Sequence, residues 1–317
     1  MDEGPRRETS PQNEIQLITW FLFVVAVLSV STRLATQYAM TSRLPREDFL
    51  MLGSLAAYLA QCILISKAAA SGLGRASASL TPGSIDNTIK SEYASVPFFI
   101  LTLALVKLSI YFAVIHLSPN RLHRRINLVL GVITALWYVP ATFSSIFQCA
   151  IPTPWDYIHG THCIDRRSWW AFVMVLNVIT DLGVVALYIL ILWKLHISPA
   201  RKATLMTVFS TRVLVVVAAI LQLYEFYNAT PSDNVTSALY LPVALKQAVL
   251  ALSITTACIP YLKPFMNSLE AGVVRIENVP GSEEELSRDR TGSSAYYLNS
   301  YGARSSPGCS SNRASEA

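Results

Sequence analysis

The chain has 317 residues, of which 52% are hydrophobic and only 14% are charged, and its formal net charge is +5. A soluble domain carries about 25% charged residues, and the apolar runs here leave no room for a separate soluble core. Because no basic stripe alternates with aromatic residues, the positive charge indicates loops beside a membrane and excludes a nucleic-acid surface. The composition therefore predicts an all-α polytopic protein embedded in a lipid bilayer.

The chain begins with a polar segment, residues 1–14, that lacks the pattern of a cleaved signal peptide. Two apolar runs follow, at 15–34 and 48–70, and each is long enough to cross a bilayer core of about 30 Å as a helix. Arg33 ends the first run, where a long cationic side chain can reach the lipid headgroups. The second run stops before Gly72, which we expect to break the helix.

The third and fourth runs, 94–116 and 126–147, are separated by a basic turn. A polar loop is predicted to precede the third run and to extend to Tyr93. Pro97 then falls in the first helical turn, where proline forfeits no intrahelical hydrogen bond. The same run places Lys107 deep among apolar residues, where a charge needs a partner.

A polar loop bounded by Cys149 and Cys163 leads into the fifth run, 168–193. Two cysteines at this spacing predict a disulfide, which persists only in an oxidising compartment, so the loop is predicted to be exoplasmic. Asp181 lies near the middle of the fifth run, and an acid at that depth also needs a partner.

Two further spans are predicted at 204–226 and 237–259, so that a seven-span bundle occupies 15–262. From residue 263 to residue 317 the chain is rich in Ser, Gly, Glu and Arg. Such a segment cannot bury enough apolar surface to offset its ordering entropy, so it is predicted to be a disordered cytoplasmic tail.

Three patterns predict an exoplasmic amino terminus and a cytoplasmic carboxyl terminus. Clusters of arginine and lysine flank alternate turns, and such turns face the cytoplasm. The cysteine loop falls on the opposite side, and so do both N-glycosylation sequons, at Asn228 and Asn234. The protein is therefore expected in the plasma membrane or another membrane of the secretory pathway.

Three charges are predicted to meet in the cytoplasmic half of the bundle. Lys107 and Asp181 each lie about thirteen residues, or roughly 20 Å, from the outer ends of their spans, and Arg212 lies near the same height. Asn177 and Thr180 can add hydrogen bonds between helices. The cluster is interpreted either as a structural pair that joins helices or as a proton-responsive switch.

A second group, Lys246, Glu225 and Trp155, is predicted to line an outer cavity. A lysine midway along a last helix is also what a retinal Schiff base requires, but the third run supplies no acid as counter-ion. The five histidines lie in loops or at span ends without ligand spacing, so no metal site is predicted. No cofactor is expected.

The chain resembles the fungal seven-span rhodopsin-domain membrane proteins over roughly Leu17 to Leu269. The residues that carry the resemblance are Glu47 and Asp48 at the start of the second span, the glycines of GLGR, the VKLSIYF run around Lys107, Cys149, Pro152, Trp155, Gly160 and Cys163 of the loop, Asn177 to Asp181, Lys202 before Phe209, and CIPYLKPF at the end.

The resemblance implies a membrane protein of filamentous fungi with receptor-like topology and without retinal. Some members carry an added cysteine-rich exoplasmic module, which is not expected here because no cysteine precedes Cys62 in this sequence. The chain also has Gln222 where the sixth span often ends in arginine, Val249 where the seventh often has an acid, and no proline soon after Asp181.

The preferred function is a receptor or sensor whose exoplasmic loops and outer cavity meet a small ligand. Its basic turns and tail would then contact a cytoplasmic signalling partner. Two alternatives remain open at this point: a membrane cyclase-type enzyme that protonates an apolar substrate through Asp181 or Glu225, and a small-solute transporter that uses Lys107, Asp181 and Lys246.

Overall fold

A computed structural model describes residues 11–41, 45–117, 121–150, 152–157, 162–193, 199–229 and 235–277. Within these ranges the chain is all-α. The helices are α1 (Pro11–Thr41), α2 (Arg46–Ser71), α3 (Pro82–Leu117), α4 (Arg121–Ile146), α5 (Arg166–Trp193), α6 (Pro199–Ala229), the short α7 (Val235–Ala238) and α8 (Tyr240–Glu277). All of them except α7 are long and apolar enough to cross a bilayer, which confirms the predicted class of seven apolar spans.

The helices differ in how much of their surface is buried within the bundle. Burial is greatest in α3 and α8 and least in α1 and α4, so the first pair is central and the second is peripheral. Large apolar side chains on the peripheral helices are exposed, among them Leu17 and Phe21 on α1 and Leu136 and Phe143 on α4. Such a surface is stable only against lipid, and the protein is therefore embedded in a bilayer.

Aromatic stacking joins three helices in the core. Trp170 on α5 lies between Phe99 on α3 and Phe226 on α6, with ring centroids 5.7 Å and 5.4 Å away. Inside a bilayer the lipid tails are as apolar as these rings, so close packing stabilises the contact more than removal from water does.

Two glycines end α2 as the sequence predicts. Gly72 and Gly74 have φ angles of 127° and 92°, a region that side chains with a Cβ atom rarely adopt. The Gly74 amide donates to the carbonyl oxygen of Thr236 at 2.9 Å. The connection after α2 therefore lies against the segment before α8, at the same end of the bundle.

The third span begins earlier than predicted. Helix α3 starts at Pro82, so the residues up to Tyr93, predicted as a polar loop, are helical. Buried Ile89 and Glu92 continue the helical spacing of the core back into this polar stretch. Pro97 consequently lies inside the helix and not in its first turn, and its missing N–H leaves the helix without one hydrogen bond there.

The helix ends extend beyond the apolar runs because hydropathy marks only the part of a helix that lipid surrounds. The last helix shows this most clearly, since α8 continues to Glu277. Helix α8 therefore continues past residue 263, where the disordered tail is predicted to begin. The rest of the predicted tail, 278–317, and the predicted amino-terminal residues 1–10 lie outside the described residues.

Candidate functional site

The central cluster consists of Lys107 on α3, Asp181 on α5 and Arg212 on α6. The Lys107 Nζ atom lies 3.4 Å from one carboxylate oxygen of Asp181, and Arg212 Nη1 lies 3.6 Å from the other. The three side chains are at most 2% exposed. Lys107 also donates to the Thr180 hydroxyl and, at 2.7 Å, to the backbone carbonyl of Asn177. The structure thus brings together all five residues that the sequence placed in this group.

Several polar atoms of the central cluster have no hydrogen-bond partner among the described residues. They include both carboxylate oxygens of Asp181, both ends of the Asn177 side-chain amide, and Nη2 of Arg212. The sequence predicted a role for the Asn177 side chain, but its main-chain carbonyl makes the contact with Lys107. The unpartnered atoms of this cluster therefore include both hydrogen-bond donors and acceptors.

The loop-side cluster consists of Glu92 on α3, Arg166 on α5 and Lys246 on α8. One Glu92 oxygen accepts from Lys246 at 2.6 Å, and the other accepts from Arg166 at 2.7 Å. The Lys246 ammonium also lies 4.6 Å from the centroid of the Trp170 ring. Glu92 was predicted as a loop acid, but it lies inside α3 and is buried.

The loop between α4 and α5 covers this cluster. The predicted disulfide between Cys149 and Cys163 is present. Within the loop, the Tyr157 ring stacks on the Arg166 guanidinium at 4.1 Å, and Trp155 Nε1 donates to Asp86 on α3 at 3.2 Å. Burial raises the pKa of the Tyr157 phenol, partly offset by the nearby arginine, so its hydroxyl keeps its proton.

The far-side cluster joins α1 to α2, α3 and α8. Arg33 donates from Nε to Asp48 at 2.9 Å and from Nη2 to the Ser109 hydroxyl at 3.3 Å, and it stacks on the Tyr261 ring at 3.9 Å. The sequence predicted that Arg33 reaches the lipid headgroups, but the side chain is fully buried. A buried acid at Asp48 provides a better environment for the guanidinium than the bilayer surface does.

A family comparison identifies the architecture that holds these clusters. Residues 32–268 of the chain match the fungal rhodopsin domain. The chain belongs to the fungal rhodopsin domain family. A SAT4 family membrane protein of Emericella nidulans is 24% identical over 201 residues, which cover 61% of this chain and 50% of the relative. The chain thus spans about half the length of that curated relative.

In this fungal rhodopsin domain, the departures noted in the sequence have structural consequences. Gln222 is buried, and its side-chain oxygen accepts from Trp170 Nε1 at 3.2 Å. Val249 is fully buried as an apolar residue. At these two positions, where the family often has an arginine and an acid, this chain therefore has an amide–indole contact and a buried apolar side chain.

The remaining predicted site residues do not join the clusters. Glu225 is half-buried on α6, while the amine of Lys246 is bound by Glu92 instead. Trp155 Nε1 donates to Asp86 on α3. Asn228 is exposed in the last turn of α6, and Asn234 lies outside the described residues. Within the described ranges, no three His, Cys, Asp or Glu side chains are grouped as metal ligands would be.

Sequence reasoning missed Arg33, Asp48, Glu92 and Arg166 in this fungal rhodopsin domain. It counted one deep acid, whereas the described residues hold three buried acids that pair with cations. For Glu92 a signal was available, because Ile85, Ile89, Glu92 and Val96 recur at helical spacing before Pro97. No comparable signal marks the other three, since each lies at the polar end of a span.

Proposed function

We propose that the protein is a seven-span receptor-like sensor. A small ligand meets the Cys149–Cys163 loop and the adjacent ends of α3 and α5, and the opposite ends of the helices relay the change to a cytoplasmic partner. The loop faces the exoplasmic side in this proposal, and the carboxyl terminus faces the cytoplasm. The basic turns on the other side and the two sequons on the loop side support that orientation.

The observation that carries the proposal is the direct link between the loop and a buried ion pair. Tyr157 of the loop stacks on Arg166, and Arg166 binds Glu92, which in turn binds Lys246 on α8. A ligand that contacts Tyr157 would therefore change the environment of an ion pair between two central helices. Ion pairs in a bilayer interior have few alternative partners, so such a change can bias helix positions.

The central and far-side clusters provide a route for the relay. The α3 helix carries Glu92 and, about 22 Å further along its axis, Lys107. The Tyr188 side chain on α5 interacts electrostatically with Arg212 of the central cluster and with Arg33 of the far-side cluster. A shift of α3 or α8 at the loop side would consequently be felt by charges near the other face.

The test places a reporter on the far side of the bundle. Arg124 is exposed near the start of α4, and an environment-sensitive fluorophore is attached to the Arg124→Cys variant in a Cys309→Ser background. The labelled full chain is reconstituted in lipid nanodiscs and exposed to a small-molecule library. Compounds that raise the unfolding temperature of the parent but not of Tyr157→Ala are taken as loop-side binders.

The proposal expects these binders to change the fluorescence of the label. The same compounds should leave the label unchanged in Tyr157→Ala, which is the matched control. Loop-side binders that raise the unfolding temperature without any response at the label would contradict a receptor function.

Small-solute transport is the second candidate, because the three clusters lie at successive depths of one bundle. Flux of a loop-side binder into proteoliposomes would favour this alternative. An acid-catalysed membrane enzyme fits less well. Asp48, Glu92 and Asp181 are each already engaged in an ion pair with a cation.

A further inference from the structure

We propose that the loop-side cluster binds the carboxylate group of a small organic acid, a ligand class that rests on the receptor function proposed above. The site is formed by Arg166, Lys246, Tyr157 and Gln222 around Glu92. Charge, unused hydrogen-bonding capacity and access each support this assignment.

The cluster contains one cation more than it contains anions. Glu92 supplies one negative charge, and Arg166 and Lys246 supply two positive charges. Both cations are paired with the same carboxylate, that of Glu92. A buried unpaired cation is unfavourable, so a ligand with a single negative charge would neutralise the site. A phosphate group, which carries more than one negative charge near neutral pH, would overcompensate it.

The free hydrogen-bonding groups around the cluster are donors. Trp170 Nε1 can only donate, so the Gln222 side-chain amide must turn its oxygen toward the indole. The Gln222 Nε2 atom is then a buried donor without a partner among the described residues. The Tyr157 hydroxyl is likewise buried without a well-formed hydrogen bond to a described residue. Both oxygens of Glu92 are already bound. An acceptor is what the site lacks.

The central cluster provides a contrast. It also holds two cations and one acid, but its unpartnered atoms include Asp181 oxygens and the Asn177 oxygen as well as donors. At the loop-side cluster, in contrast, the unpartnered Gln222 Nε2 and Tyr157 hydroxyl can both donate to an anion.

Access and neighbouring residues favour an organic anion over an inorganic one. The Arg166 side chain is 15% exposed, whereas those of Glu92 and Lys246 are each 1% exposed, so a ligand can reach the guanidinium first. Rings of Tyr157 and Phe226 lie over the guanidinium at 4.1 Å and 5.3 Å. A carboxylate attached to an apolar body can bind the cations and contact these rings together.

The test measures the unfolding temperature of the full chain in lipid nanodiscs as benzoate is added. Four comparison compounds at equal concentration separate the chemistry: benzyl alcohol lacks the charge, benzylammonium reverses it, chloride lacks the organic body, and inorganic phosphate adds charge. A bound ligand stabilises the folded state by mass action. Benzoate is expected to raise the unfolding temperature more than any of the four. An equal shift with benzyl alcohol, or no shift with benzoate, would overturn the proposal.

Two variants locate the site. Tyr157→Phe keeps the ring over Arg166 but removes the hydroxyl, and it is expected to weaken benzoate binding roughly tenfold, since a hydrogen bond to a charged group is lost. Gln222→Glu supplies a built-in negative charge and is expected to abolish binding. Tyr227→Phe, on the exposed face of α6, is the matched control and should bind as the parent does. Unchanged affinity in Tyr157→Phe would refute the assignment even if Gln222→Glu does not fold.

The two sets of experiments distinguish a failure of the carboxylate site from a failure of the receptor proposal. Benzoate binding without a response at the far-side label would keep the carboxylate site and refute signalling. A far-side response to neutral or cationic compounds alone would keep signalling and refute the carboxylate site.

Discussion

Replacing Asp181 by asparagine should destabilise the bundle more than replacing either of the cations that contact it. Asp181→Asn keeps the size of the side chain but leaves Lys107 and Arg212 buried together without a negative charge. Lys107→Met, in contrast, leaves Arg212 and Asp181 as a neutral pair. The difference follows from the composition of the central cluster, in which one acid serves two cations.

The loss of stability expected for Asp181→Asn can be estimated from the distances in the central cluster. At 3.4 Å and 3.6 Å, each cation attracts the carboxylate by about 5 kcal/mol at an effective dielectric constant of about 20. Desolvation of the buried charges offsets much of this attraction, and breaking such a group by removing one partner typically costs about 3–5 kcal/mol. We expect Asp181→Asn to reach the upper part of that range. Lys107→Met loses hydrogen bonds but also relieves repulsion from Arg212, so about 1–2 kcal/mol is expected.

The assay is equilibrium unfolding of the purified protein in mixed micelles, followed by tryptophan fluorescence. Glu225→Gln is the matched control, because Glu225 is half-buried on α6 outside the clusters, and its effect should stay within about 0.5 kcal/mol. The exchange variant Lys107→Asp with Asp181→Lys should recover part of the loss seen with Asp181→Asn. The reasoning fails if Lys107→Met is as destabilising as Asp181→Asn, or if the exchange recovers nothing.

Three further predictions concern the loop side of the bundle. Replacing Cys149 and Cys163 by serine should lower the free energy of unfolding by about 3 kcal/mol, measured in the same assay without reductant, because the loop then adds entropy to the unfolded chain. In a secretory host, Asn234 should carry more glycan than Asn228, because a proline directly follows the sequon at Asn228. Mass spectrometry of single Asn→Gln variants measures the glycan at each site, and more glycan at Asn228 than at Asn234 would contradict the prediction. Gly72→Ala should cost about 1–3 kcal/mol, because φ is 127° and the new Cβ would lie 2.5 Å from a leucine methyl. Gly83→Ala, where nothing lies within 4 Å, should be nearly neutral.

The sequence predicted the meeting of charges in the central cluster but not in the other two clusters. Lys107, Asp181 and Arg212 could be assigned to one level because helix rise converts residue count into height. The pairing of Arg33 with Asp48, and of Glu92 with Lys246, could not be read in the same way. Those pairs depend on which faces of different helices are turned toward each other.

Local patterns by themselves determined the class of fold. A bilayer requires that each spanning segment satisfy its own backbone, so apolar runs of sufficient length had to become helices, and glycine at Gly72 had to end one of them. The cysteine spacing likewise predicted the loop that covers one end.

The tertiary structure alone decided which residues near the helix ends are buried in the core and which charges they meet. The polar residues before Pro97 join the core because α3 continues through them, and this places Glu92 between Arg166 and Lys246. Hydropathy could not show this, because a buried acid and a solvated acid contribute the same value to a window. Only the packing of α3 against α5 and α8 supplies the two cations that make the buried position stable.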